Sequence, residues 1–288
     1  MLTNESLKFI DLHVHTTCSD GTLSPEDVVE AAYREKIGIL AITDHDNVSG
    51  ISRAFDAAKK YGIKIIPGIE CSTECETGTL HILGYNIDPN SRNITEFIKK
   101  CQKNRVERIY KIIQKLNCLG FDITYDEVYQ IDNKGTIGRP HIARAMLEKG
   151  YINSIKECFE KYIGRDLPAY VPKINPTIEE VIYAIKSSGG IPVLAHPLQM
   201  KCGNLEATLS EVERLVDIGI EGIEVIYPEH GIGENFVFSV IAKRKNAYIT
   251  CGSDFHGENK KICLGKCYHN TKKVSIEELK KLGKTFIE

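Results

Sequence analysis

The stretch FIDLHVHTTCSDG, residues 9–21, carries two histidines one residue apart at the end of an apolar run. Alternate residues of a strand face the same side. His13 and His15 are therefore predicted to point together, with Asp20 a few residues beyond them. Two imidazoles and a carboxylate at one strand end form a pattern that can hold a cation.

The rest of the chain repeats the theme. Six further strand-like segments follow: residues 37–46, 63–70, 80–87, 191–197, 222–230 and 247–256. The second ends in Asp44, His45 and Asp46, the third in Glu70, and the fourth begins with His81. The fifth ends in His196, the sixth carries Glu224 and His230, and the seventh ends in Asp254 and His256. Between most of them stand helix signals: Ser24 before Pro25, Thr177 with Glu180, and Ser275 with Glu278. Strands alternating with helices predict a parallel β/α architecture, whose barrel form gathers residues from the strand ends.

Each residue also has a plainer reading. Asp46 could cap the next helix, and Glu224 could be a paired core acid. His230 and His269, taken singly, read as surface or core histidines. Seven segments that all end at or near an imidazole or carboxylate are harder to explain that way. Buried acids and imidazoles together imply cations that neutralise them.

Residues 93 to about 170 break the alternation and are helical in pattern. Asn93 with Glu96 is the expected cap of a long helix, and Gly120 its left-handed end. Thr124 to Glu127 opens a short helix, and residues 139–150 form another, ended by Gly150. The expected organisation is a barrel over 1–92 and 176–288, interrupted by a helical insertion at 93–175 that acts as a lid.

Bulk properties narrow the class. The chain has 288 residues, 42% hydrophobic and 26% charged, with a formal net charge of −2. That balance argues against holding nucleic acid by bulk charge alone. The basic stretch 99–108 reads as a solvated helix face, with guidance of RNA as the weaker alternative. The first residues lack a basic-then-apolar signal, and no apolar run reaches the ~20 residues of a membrane span. A cytoplasmic location is expected. The ten cysteines are read as reduced thiols. The pairs Cys71/Cys75 and Cys263/Cys267 are spaced more loosely than a zinc knuckle, and Cys18 and Cys251 are read as packing residues.

The motifs DLHVHTTCSDG, TDHD, GIE, LHILGY, GRPHIAR, LAHP, EVIYPEH and GSDFHG together resemble the PHP (polymerase and histidinol phosphatase) superfamily. In detail they resemble its nucleoside 3′,5′-bisphosphate phosphatase and 5′-to-3′ exoribonuclease branch. The resemblance implies an α/β fold, a distorted (β/α)7 TIM-like barrel with a helical insertion and a trinuclear metal site. It implies that one metal takes His13, His15, Glu70 and Asp254. A second takes Asp20, His45 and His256. The third takes His81 and His196, with Glu70 bridging. It also implies that Arg139 and His141 contact substrate phosphate, at a helix start suited to anions.

Two to three divalent transition metals are expected; mixed nitrogen and oxygen donors suit manganese, iron or zinc. Clustered metals make hydroxide available at neutral pH and neutralise phosphoryl charge, so the expected chemistry is phosphoester hydrolysis. The expected substrate is a nucleotide or short RNA, with no membrane and no stable protein partner. Histidinol-phosphate phosphatase is the alternative within enzymes, and a non-catalytic metal-binding module the alternative outside them.

Overall fold

A computed structural model of the chain describes residues 7–74, 78–131 and 137–287. Cys75 lies outside them. The chain divides into two compact units. One joins Met1–Phe97 to Pro176–Glu288, and the other is Ile98–Asn175.

The first unit is built on eight strands: β1 (Phe9–Asp11), β2 (Ile37–Ile42), β3 (Lys64–Thr73), β4 (Leu80–Tyr85), β5 (Ile191–Leu194), β6 (Gly222–Ile226), β7 (Tyr248–Cys251) and β8 (Val274–Ser275). They lie in the order β7-β6-β5-β4-β3-β2-β1-β8. The first seven are the seven segments expected from the sequence. Their runs, such as IGILAI in β2, are mostly apolar rather than alternating, as strands covered on both faces require. Hydrogen bonds continue past β1 and β7: Leu12 N–H donates to the Cys251 carbonyl, Asp254 N–H to that of His13 and His15 N–H to that of Phe255. This ladder joins the two ends of the seven-stranded run and nearly closes a barrel.

Two features depart from the expected parallel order. β4 is antiparallel to both β3 and β5. The connection from Thr73 to Leu80 is too short for a crossover, so the chain turns back as a hairpin. The added β8 pairs antiparallel with β1 outside the seven.

Helices α1 (Pro25–Arg34) and α2 (Gly50–Tyr61) cross between the early strands. Ser24 caps α1 by accepting the Asp27 N–H. At the α2 entry the Asn47 side chain accepts the Ser49 N–H. Asp46 is buried, with its N–H on the Glu70 carbonyl.

The long helix α3 (Arg92–Cys118) runs across the boundary between the units. Its start corrects the expected cap. Asn93 lies inside the helix with its side chain on the Ser187 carbonyl, while the Thr95 N–H returns to Ser91. Gly120 follows with φ +92° and nothing near its missing Cβ, which leaves the left-handed turn unhindered.

The second unit adds α4 (Tyr125–Ile131), α5 (Arg139–Glu148) and α6 (Ile155–Cys158), the last running into a π-helical turn. Ile112, Leu116, Val128, Ile142, Met146 and Ile163 form part of its own buried core. The chain returns to the barrel through α7 (Ile178–Ser187), where Thr177 and Glu180 form the expected reciprocal cap. Helices α8 (Leu205–Asp217), α9 (Ile232–Arg244) and α10 (Ile276–Leu282) complete it.

Candidate metal centre

Strand direction decides where the side chains meet. Glu70 lies within β3, and His45 follows β2 and bridges to Glu70 in parallel register. His196 follows β5 by two residues, and Asp254 and His256 follow β7. His81 is the second residue of β4. Because β4 is reversed, its beginning lies beside the downstream half of β3, with Ser72 opposite His81. The fourth segment thus offers its imidazole at its start for the same reason the others offer theirs at their ends.

Glu70 is the hub and is 1% exposed. Its Oε1 lies 3.3 Å from His13 Nε2, 2.8 Å from His81 Nδ1 and 3.0 Å from His196 Nε2. Its Oε2 lies 3.1 Å from both His15 Nε2 and His45 Nδ1. Asp254 Oδ1 stands 3.5 Å from His13 Nε2 and 3.4 Å from His15 Nε2. Asp20 is the outer member: its half-exposed carboxylate is 3.2 Å from His256 Nε2 and 3.7 Å from His15 Nδ1. Every one of the nine residues expected as ligands has another of the nine within 4 Å.

Their grouping is tighter than the expected partition. Donor atoms within 4.8 Å of one another form three sets among the described residues: His13, His15, Glu70 and Asp254; His15, Asp20, His45 and His256; and His45, Glu70 and His81. His15 and His45 each belong to two sets. His196 reaches Glu70 without belonging to any of them.

The electrostatics are those of a cluster that wants positive charge. Burial alone would raise the Glu70 carboxyl, but His81, His45 and His13 hold it well below the usual range. Asp254 is depressed in the same way, by His13, His15 and Lys260 against its burial. Burial lowers His13, yet Glu224, Glu70 and Asp254 outweigh it and raise it well above 6.5. His15 rises to about 9 against its burial, through Asp254, Glu70 and Asp20. His45 is pushed well below 6.5, chiefly by burial.

Hydrogen bonding does not satisfy these atoms. His13 Nε2, His15 Nε2 and His45 Nδ1 are buried without a hydrogen-bond partner, although carboxylate oxygens stand 3.1–3.5 Å away. A cation about 2.1 Å from each donor sets neighbouring donors about 3.0 Å apart in octahedral geometry and about 3.4 Å apart in tetrahedral geometry. The observed spacings match those edges. The donors are nitrogen and carboxylate oxygen with no thiolate, so the residues fit divalent metal ions.

Comparison with known proteins agrees with this geometry. Residues 11–187 match the model of the PHP domain. The chain is 32% identical over 252 residues to a 3′,5′-nucleoside bisphosphate phosphatase of Chromobacterium violaceum, covering 86% of this chain and 87% of that one. It is 34% identical over 262 residues to the 5′-3′ exoribonuclease Rnm of Escherichia coli, covering 89% and 88%. A solved structure from Bifidobacterium adolescentis, provisionally described as a metal-dependent phosphoesterase, superposes with a TM-score of 0.76 at 28% identity over 96% of each chain.

The chain belongs to the PHP domain family. Its class is accordingly that of the metal-dependent phosphoesterases.

Around the PHP cluster lies a layer of residues that the sequence did not resolve. Glu224 is fully buried and faces His13 Nδ1 at 3.0 Å. Asp44 accepts from the Thr16 N–H, the Thr16 hydroxyl and the Ser19 hydroxyl, and Ser19 Oγ stands 3.4 Å from His15 Nδ1. Tyr227 donates its hydroxyl to Asp254 Oδ2, and Lys260 Nζ lies 2.7 Å from the same oxygen. Both leave Asp254 Oδ1 to the imidazoles. The sequence signals for this layer were Asp44 at the end of the second segment and a lone acid inside the apolar run GIEVI; Lys260 gave none.

His230 is a core histidine whose Nδ1 bonds the Val225 carbonyl, and His269 is exposed. Cys18 and Cys251 are buried, as packing residues should be. No helix is long and apolar enough to cross a membrane among the described residues.

Arg139 and His141 belong to the second unit. Arg139 donates to the Ile163 carbonyl at 3.3 Å and stacks over Phe159. His141 Nδ1 accepts the Gly138 N–H at 2.9 Å and so caps α5. That bond puts the neutral imidazole's proton on Nε2, as a donor. Arg108 donates to the Val171 carbonyl, and burial with the like charges of Arg139 and Arg105 lowers it to about 10.

Proposed function

We propose that this chain is a metal-dependent phosphoesterase that hydrolyses the 3′-phosphoester of 5′-phosphorylated nucleotides, as free nucleoside 3′,5′-bisphosphates or at the 5′ end of short RNA. The observation that carries the reading is Glu70, a buried carboxylate whose two oxygens face five imidazoles. Two to three metals, manganese, iron or zinc, would be held by His13, His15, Asp20, His45, Glu70, His81, His196, Asp254 and His256. Glu70 serves as the bridging ligand. When bound, the metals supply Lewis acidity that activates water and neutralises phosphoryl charge.

The chain's own residues do the rest. Tyr227 and Lys260 hold Asp254 so that one oxygen faces inward. Arg139 and His141, in the helical insertion, take the 5′ phosphate. Among the described residues neither Arg108 nor Arg139 meets a carboxylate, and their mutual repulsion favours an anion between them. A nucleoside bisphosphate and a 5′-phosphorylated RNA share this local chemistry, so one site serves both. The relatives' names support the same two substrates. A cytoplasmic location suits either one.

A panel of adenosine 3′,5′-bisphosphate, short 5′-phosphorylated RNA and histidinol phosphate, assayed before and after chelation and metal return, tests the reading. Turnover of the first two that is lost on chelation and restored by manganese is expected. Full activity in metal-free protein, or a strong preference for histidinol phosphate, would overturn it.

A further inference from the structure

Glu224 stands at the centre of β6, a strand whose five residues are all buried. An acid there is costly unless both carboxylate oxygens find donors. They do, and the donors come from two different parts of the barrel. Oε1 lies 3.0 Å from His13 Nδ1, and Oε2 accepts the backbone N–H of His196 at 2.8 Å. The space is reserved for this contact. A Cβ on Gly252 would lie 2.6 Å from Glu224 Oε1 and 2.2 Å from the His13 Cβ.

Each contact has a consequence for the metal cluster. A carboxylate only accepts, so the His13 nitrogen facing Glu224 carries a proton, and Nε2 is the atom left to give a lone pair to a metal. Nε2 is the atom that lacks a hydrogen-bond partner and lies beside Glu70 and Asp254. His196 has φ +27°, a left-handed value unusual for any side chain but glycine's hydrogen. Its N–H bond to Glu224 holds that backbone where the ring reaches Glu70 at 3.0 Å.

We infer that Glu224 is a positioning residue that locks His13 in the metal-binding tautomer while pinning the backbone of His196, so that one side chain outside the expected ligand set couples two of the proposed metal positions. The inference rests on the metal-centre reading above. An isosteric amide cannot do both tasks. If the Gln oxygen keeps the His196 N–H, its NH2 faces His13 Nδ1 and drives the His13 proton onto Nε2, the ligating atom. If the amide turns over, two N–H groups collide at His196.

The test is zinc titration of metal-free parent, Glu224→Gln and Glu224→Asp proteins against a competing chelator, with nitrogen-15 NMR of the histidine rings. Glu224→Gln should fold but bind at least one zinc about 10- to 100-fold more weakly. Glu224→Asp, which keeps two acceptor oxygens, should recover part of the loss. In zinc-loaded parent the His13 proton should sit on Nδ1. A parent that binds no zinc would overturn the metal-centre reading itself. A parent that binds zinc beside a Glu224→Gln protein of equal affinity and unchanged His13 tautomer would overturn the Glu224 role alone. If Glu224→Gln does not fold, the parent's spectrum decides: a proton on His13 Nε2 overturns the role, and one on Nδ1 supports it.

Discussion

The two units carry opposite electrostatic deficits. In the barrel unit, Glu70 and Asp254 are buried among imidazoles that cannot all be charged at once, and the arrangement lacks cations. In the helical unit, Arg108 and Arg139 repel one another, held by backbone carbonyls and the Phe159 ring, and among the described residues neither meets a carboxylate. Under the proposed function, metals would complete the first and a phosphate the second. If the proposed function holds, the difference means that phosphate binding and bond-breaking draw on separate parts of the chain, so each can be damaged without the other.

The largest effect is expected at the hub. Glu70→Gln removes a charge faced by five imidazoles and should lose more than one metal per chain, with turnover falling below detection. His81→Ala should mainly weaken one position. Elemental analysis of both proteins sharpens the contrast, and equal metal content in Glu70→Gln and parent would break it.

Next is the arginine side. Arg139→Ala should cut kcat/KM about ten- to hundred-fold for 5′-phosphorylated substrates, as loss of a charge-assisted contact of about 1.5–3 kcal/mol implies. A generic aryl phosphate and the metal content should be spared. Equal losses on both substrates would erase the division of labour.

A smaller effect follows pH in the metal-free protein. The folded His15 value, about 9, exceeds its ordinary 6.5, so the stability it contributes is complete below 6.5 and is lost as pH rises through 9. Glu70 and Asp254, depressed, contribute in the opposite sense and lose their share only in acid. Thermal unfolding without metal should therefore drop by roughly 5 °C between pH 6.5 and 9. Zinc-loaded protein, in which metal replaces those protons, should change little. The smallest effect is structural: Thr177→Ala removes a cap worth about 1 kcal/mol and should lower the unfolding temperature by ~3 °C without changing metal content.

The seven strands were legible because each is a short, mostly apolar run with an imidazole or carboxylate at or near one end. The reversal of β4 was written in the chain as well, in the few residues between the third and fourth segments, too few for a crossover. The two-residue β8 was not, because so short a strand exists only through its partner β1. The start of α3 was misplaced because Asn93 and Glu96 satisfy the local cap pattern, which would start the helix at residue 94, while it begins two residues earlier, at Arg92. Glu224 stayed ambiguous for a deeper reason: a core acid and a ligand-orienting acid look identical until the partners, 211 and 28 residues away, are known.

The β3–β4 hairpin has a consequence for how the cluster assembles as the chain folds. Glu70 and His81 are only 11 residues apart, whereas Glu70 meets His196 across 126 residues and His13 meets Glu224 across 211. Closing the short loop loses the least chain entropy, and local pairings form fastest. The hub carboxylate and its first imidazole can therefore be side by side on an emerging chain well before the barrel can shut, whereas the contacts of His13 with Glu224 and Asp254 must wait until residues 224 and 254 have been made.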